Sequence, residues 1–331
     1  MKITKINIAF FTLGVAGFSY LLYRFGLDQI TENIHRAGIS LLYSILVWFV
    51  IYTVNTLAWK LVLTEFGKDI SFGRLFMLTV SGFSINTITP VVSVGGEPYR
   101  VKMLSQTFDT HKSLSAVVLY RMVFFFGHML SILAGIAFGL AFVDLPTTLR
   151  ISLAVAFIGI ALLMLWAFSV HKSGMFERFM NWIRPFKILR RVSETLEKHR
   201  VALSEMDSVL TDVYHDHRSK FYTAVLLEFL SRALMGVEIY IILQGVGIDI
   251  TIAHALFVYA LYSVIINIFF FIPLNLGVRE GGLMLGLQSL AITPLLGVYL
   301  GVVIRIRDFF WIAIGLMMVL FTGQKKTNVV K

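Results

Sequence analysis

The chain has 331 residues, 57% of them hydrophobic and only 15% charged, and its mean hydropathy is +0.81. A soluble domain carries nearer a quarter charged residues, so an ordinary cytosolic enzyme is excluded, and an aromatic content of 14% excludes disorder. The absence of cysteine removes disulfides, thiolate nucleophiles and cysteine-held zinc or iron–sulfur centres, while a net charge of +10 needs a location before it has a meaning.

Six apolar stretches are long enough to cross a bilayer, which takes roughly 20 helical residues. They lie near 6–23, 40–63, 114–142, 149–170, 221–243 and 296–321. The first follows Met1-Lys2-Ile3-Thr4-Lys5 without a small-residue cleavage site and reads as a retained span. Two more stretches, 72–92 and 252–272, are equally apolar but run into charged Pro/Gly turns. The basic residues gather in the connections. Lys60 ends the second span with Lys68 and Arg74 after it, and Arg100, Lys102 and Lys112 precede the third. The segment 171–220 and the tail (Lys325, Lys326, Lys331) hold most of the rest, whereas 143–148 and 244–251 carry only Asp144 and Asp249 among acids. The positive charge therefore reads as positive-inside topology and contact with anionic lipid, not as a nucleic-acid surface.

All basic sets fall in the cytoplasm, with both termini, if 72–112 and 252–295 are re-entrant hairpins entering from opposite sides. Eight simple crossings would leave one basic set outside. The expected fold is an all-α polytopic membrane protein forming a single membrane domain over 1–331. It has about six full transmembrane helices, a first repeat over 40–142, an extra span at 149–170 and a second repeat over 221–322. Within 171–220, Ile188, Val192, Leu196, His199, Leu203, Met206, Leu210 and Val213 share one helical face, giving an amphipathic cytoplasmic connector.

The repeat rests on three matches. Gly67-Lys-Asp-Ile-Ser71 resembles Gly247-Ile-Asp-Ile-Thr251; Asn86, Pro90 and Glu97 resemble Asn267, Pro273 and Glu280; Arg121 and Arg305 each precede a Phe pair. Inverted repeats with interrupted helices are an architecture of secondary transporters, because two near-equal halves can exchange conformations and open a site to each side in turn.

Charges inside apolar spans are the candidate functional residues, since each costs roughly 2.5–3.5 kcal/mol on insertion scales. Glu228, Arg232 and Glu238 lie in one span, Arg305, Arg307 and Asp308 in another, and Arg121 and His128 in a third; Glu97, Arg100, Arg279 and Glu280 sit at the hairpin tips. Glu228 and Arg232, four apart, can pair on one face. Two arginines beside one acid at 305–308 are expected to leave a cation for a phosphate, which guanidinium binds bidentately. At the tips, Pro90 and Pro273 stop the first arms as hinges, with Gly277 as a further hinge and Gly95-Gly96 and Gly281-Gly282 giving turns and exposed amides suited to an anion. Glu97 and Glu280 suit a proton or an amine. Gly135-x3-Gly139 and Gly297-x3-Gly301 read as helix-packing patterns, or as a glycine face for a homodimer. His215-Asp216-His217 reads as solvated, not as a metal site. No Walker A, His-Glu-x-x-His or Gly-x-Ser-x-Gly pattern occurs, so no enzyme activity, cofactor or metal is expected.

The segments Thr89-Pro90…Gly95-Gly96-Glu97…Arg100, Pro273…Gly277…Arg279-Glu280-Gly281-Gly282 and the Arg121 region resemble the flippase-like family formed by the transmembrane region of lysylphosphatidylglycerol synthases and its stand-alone relatives, over roughly 5–322. The resemblance implies a prokaryotic cell-membrane protein that moves a phospholipid or lipid-linked glycan, as a flippase or scramblase. Longer members carry a soluble aminoacyl-transferase domain, for which the residues after the last span leave no room; a stand-alone member is expected. Carried over by position, the resemblance puts Gly95, Gly96, Glu97, Arg100, Arg279 and Glu280 at the site. A membrane-embedded lipid-modifying transferase, or its accessory subunit, with Glu97 as general base is the alternative.

Overall fold

A computed structural model describes residues 37–66, 69–88, 95–171, 218–270, 275 and 277–322. The expected span at 6–23, the hinges Pro90 and Pro273, the His215–His217 triplet and the connector face from Ile188 to Val213 lie outside the described residues. Among those described there are nine α-helices, one 3-10 turn and no strand. In chain order they are α1 (Ile39–Leu63), α2 (Phe72–Ile88), α3 (Gly96–Leu104), α4 (Thr110–Phe142), α5 (Thr147–His171), α6 (Arg218–Gly245), α7 (Ile252–Ile268), α8 (Val278–Gln288) and α9 (Leu295–Thr322).

Three of them, α1, α4 and α5 (over Thr147–Phe168), are long and apolar enough to cross a membrane. α6 and α9 have 28 residues each, about 42 Å of helix at 1.5 Å per residue, and are continuous through their buried charges. The outer face of α5 is bare hydrocarbon: Val155 is 65% exposed and Leu165 67%. In water a patch of this kind would aggregate; it matches lipid. This is an α-helical membrane protein.

Side-chain contacts fix the direction of each helix. α1 and α6 are antiparallel neighbours: Ser40 sits against Gly245 at one end, and Lys220 donates to Thr64 at the other. α4 runs with α6, Tyr120 meeting Glu228 and Phe124 meeting Arg232. α9 runs with α1, Arg307 lying over Trp48 and Trp311 against Tyr52. α2 and α3 fold back on each other, Gly96 beside Gly82 and Arg74 beside Met103. So do α7 and α8, Gly282 beside Tyr262 and Gly286 beside Val258. α9 passes α2 with Gly315 against Ser84, and α4 passes α7 with Gly135 against Ala260 and Gly139 against Phe257. The two hairpins therefore have their bases at opposite ends of the bundle. Each rests on the long helix that follows the other hairpin.

The end holding the α2–α3 base also holds Lys60, Arg74, Lys102, Lys112, Arg218 and Lys220, against Asp69 and Asp109. The opposite end carries Asp144, Asp249 and Arg150. Local chemistry starts the helices where the chain turns. Asp109 accepts from the Lys112 amide to begin α4, and Thr251 accepts from His254 to begin α7. The glycine patterns at 135/139 and 297/301 serve packing: a Cβ at Gly297 would meet Met284, and one at Gly301 would meet Glu280.

Candidate functional site

At the tip of the first hairpin, Gly96 is so close to α2 that a Cβ would strike the Gly82 carbonyl oxygen. Its amide donates to Asn86 Oδ1 at 2.7 Å, and Asn86 Nδ2 donates to Glu97 Oε1 at 3.4 Å. The same carboxylate oxygen accepts from Arg100 Nη1 at 3.0 Å and forms an ion pair with Arg121 of α4. Arg100 is buried, donates to the Thr79 carbonyl at 3.2 Å and lies over the Trp59 ring. Gly82 leaves room for its guanidinium. Gly96→Ala should therefore cost roughly 1–3 kcal/mol as an overpacking change, while Gly281→Ala, with open space at its Cβ, should be neutral or slightly stabilising. Thermal unfolding of the two variants in detergent checks this, and equal midpoints would contradict it.

At the second tip, Asn275 and Gly277 have positive φ values of 50° and 77°. The Gly277 amide donates to Glu280 Oε2 at 3.0 Å, closing a capping interaction at the start of α8. Glu280 Oε1 accepts from Arg305 Nη2 at 2.7 Å and Nε at 2.9 Å. Arg279 donates to Asp308 at 2.8 Å, and Asp308 also accepts from Arg307. Arg307 grips both oxygens of Glu238, 2.9 Å each, and Trp48 Nε1 and Ser44 donate to the same carboxylate.

Two expectations change. Arg305 and Arg307 do not leave a spare cation, because Glu280 and Glu238, contributed by other helices, neutralise them; counting only neighbours along α9 missed this. The Gly96 and Gly281 amides are not open for an anion either, since the Asn86 side chain and the Gly277 carbonyl accept from them. Arg279, Arg305 and Arg307 against Glu238, Glu280 and Asp308 make a neutral set. Charge surplus lies at the first hairpin instead, where, among the described residues, Arg100 and Arg121 share the one carboxylate of Glu97. Glu228 and Arg232 do pair on one face, at 3.4 Å, and Tyr120 donates to Glu228 at 2.9 Å.

A cavity of about 1040 Å³ lies between α3, α4 and α5. Val117, Val118, Met122, Phe125, Leu163 and Trp166 give it apolar walls, with Glu97 and Arg121 inside and Lys102, Ser105 and Thr110 toward the basic end. Arg121 is the most open of the interior arginines, its side chain 32% exposed. The sequence-expected residues thus form two groups: Glu97 and Arg121 at the cavity, with Gly95, Gly96 and Arg100 behind them, and Glu238, Arg279, Glu280, Arg305, Arg307 and Asp308 in the closed set. Unforeseen were Asn86, which orients Glu97, and Ser44, Trp48 and Tyr120, which complete the carboxylate shells. For Asn86 the signal was its place in the repeat, twinned with Asn267, which here bonds His128 at 3.0 Å.

Fold and site define a multi-pass helical membrane protein whose interior is built on paired arginines and carboxylates. The chain belongs to the family described by the lysylphosphatidylglycerol synthase TM region, matched over residues 5–315. Among curated relatives, a UPF0104 membrane protein of Methanothermobacter thermautotrophicus is 25% identical over 322 residues, covering 94% of each chain. A UPF0104 membrane protein of Methanocaldococcus jannaschii is 27% identical over 126 residues, 37% of each. No solved structure matches the chain.

Proposed function

We propose that this protein translocates a lipid with a charged or polar head group across the cell membrane, without ATP and without altering the lipid. The observation that carries it is the cavity between α3, α4 and α5. Its walls suit acyl or prenyl chain, the Glu97–Arg121 pair suits a head group, and α5 beside it is coated with lipid-facing hydrocarbon. A cavity charge of one acid against Arg121 and Lys102 favours a phosphate-bearing head.

In this scheme the α2–α3 and α7–α8 hairpins are re-entrant and the halves are inverted copies. Supporting it are the opposite ends at which the hairpins begin and the recurrence of one ion pair, Glu97–Arg121 and Glu280–Arg305, at sequence offsets of 183 and 184 residues. The basic end faces the cytoplasm by the positive-inside rule, which makes the conformation inward-open. Transport consists of exchange: the paired second half opens as the cavity in the first closes.

Val118→Trp puts an indole into the cavity wall without removing any charge. Purified protein in liposomes containing a fluorescent head-labelled phospholipid, quenched from outside by dithionite, should show translocation above protein-free vesicles, lost in the variant while it elutes as wild type. Equal rates in wild-type and empty vesicles, or in Val118→Trp and wild type, would sink the proposal.

A further inference from the structure

The buried face of α1 carries a stripe of polar-tipped residues, although the helix is apolar in composition. Ser44, Trp48, Tyr52, Asn55 and Trp59 follow a 4-4-3-4 spacing, which places them in a single stripe, and all five are buried. Ser44 to Trp59 spans about 22 Å at 1.5 Å per residue, most of a ~30 Å hydrocarbon core. The stripe joins the two charge groups. Ser44 and Trp48 donate to Glu238, which Arg307 grips; Trp59 lies under Arg100 and is stacked on Tyr120, which donates to Glu228.

Between those ends the polar atoms lack protein partners. Tyr52 Oη, Asn55 Oδ1 and Trp59 Nε1 on α1, Ser81 Oγ on α2, Arg100 Nε on α3 and Trp311 Nε1 on α9 are buried and find no hydrogen-bond partner among the described residues. Tyr52 packs edge-on to Trp311, 5.0 Å between ring centroids, and feels Arg100 from one side and Arg307, Asp308 and Glu238 from the other. Buried polar groups in proteins are nearly always satisfied, and in a bilayer an orphan is costlier still. Six orphans on α1 and on three helices packed around it would be met by buried water, which makes two to four polar contacts.

We propose that the buried face of α1 is a water-threaded proton path connecting Glu238 with Glu97, so that the protein moves protons across the membrane. Its coupling to lipid movement rests on the function proposed above; the path itself does not. The charged and titratable groups that face it are Glu238, Glu228 and Arg232 on α6, Arg307 and Asp308 on α9, Glu97 and Arg100 on α3, and Tyr120 and Arg121 on α4. A proton arriving on Glu238 frees Arg307, which keeps Asp308 as its partner. From there the Glu238 O–H bond breaks as a neighbouring water oxygen takes the proton and passes on one of its own. The Tyr52 hydroxyl likewise accepts one proton and releases another. The last proton forms an O–H bond on Glu97 Oε2, the carboxylate oxygen without a partner among the described residues. Glu97 then gives its proton to water in the cavity it lines, so one proton enters at Glu238 and one leaves at Glu97 for each transfer. The indole N–H groups of Trp59 and Trp311 do not relay; they hold water oxygens in line.

The test uses the whole protein in liposomes of phosphatidylglycerol and phosphatidylethanolamine, with a pH-sensitive dye inside and valinomycin with potassium clamping the potential. After an external acid step, wild-type vesicles should acidify several-fold faster than empty ones. Tyr52→Phe removes one orphan oxygen and no protein hydrogen bond, so it should fold as wild type yet lose most of that flux; Asn55→Leu should behave likewise. Wild-type flux equal to empty vesicles, or flux unchanged when Tyr52→Phe and Asn55→Leu are combined, overturns the path. Head-labelled lipid in the same vesicles separates the two proposals: proton flux without lipid movement supports the path and removes the translocator, and lipid movement without proton flux does the reverse.

Discussion

Glu97→Gln is expected to cut lipid translocation roughly ten- to hundredfold, from the loss of a charge-assisted interaction worth roughly 1.5–3 kcal/mol at about 1.4 kcal/mol per decade. Glu97 is where the first half meets the cavity: Arg100 on its own helix and Arg121 on α4 both bind its Oε1, and Asn86 orients it from α2. Glutamine keeps the shape and can still accept from Asn86, but leaves two cations facing each other. The helices should hold, because Arg100 keeps the Thr79 carbonyl and Arg121 can reach water in the cavity. Glu280→Gln is the matched comparison. Its partner Arg305 is sheltered, and Glu280 also caps α8 through Gly277, so that change should fall more heavily on stability. Dithionite assays beside thermal unfolding in detergent read the two effects. If both variants lose stability alike and neither loses transport selectively, the Glu97 group is structural.

Much of this organisation was legible in the chain. Hydropathy located α1, α4 and α5, and it also located α6 and α9 despite their charges, since a helix long enough to span tolerates a few polar residues when they face inward. The matching Asn, Glu and Arg positions suggested a repeat, but that Glu97 meets Arg121 and Glu280 meets Arg305 emerged only from the folded chain. What could not be read was partnership between distant segments. Nothing near residue 307 reveals that Glu238, 69 positions away, neutralises it. The polar stripe of α1 was hidden for a different reason: Trp48, Tyr52 and Trp59 count as hydrophobic in any composition measure, although each carries a donor that must be met once buried. A search for polar-tipped residues at helical spacing would have found it.

Breaking the Glu238–Arg307 pair should produce the largest loss of stability, roughly 3–5 kcal/mol for either single replacement, because the survivor is a buried, uncompensated charge. Glu238 has 2% side-chain exposure and Arg307 has 3%. In Glu238→Ala, Arg307 keeps only Asp308, and Ser44 and Trp48 lose their acceptor. In Arg307→Leu, Glu238 retains two neutral donors, too few for a carboxylate outside water. The double variant, Glu238→Leu with Arg307→Met, removes both charges in place, and buried ion pairs replaced together by apolar residues are often neutral. It should therefore recover much of either single loss, though the orphaned donors of Ser44 and Trp48 keep it below wild type. Thermal unfolding in detergent, followed by the temperature at which the monodisperse peak disappears, measures all three. Single losses that simply add in the double variant would mean that the two residues act separately, and that the closed half is held by packing on α9 and not by its charges.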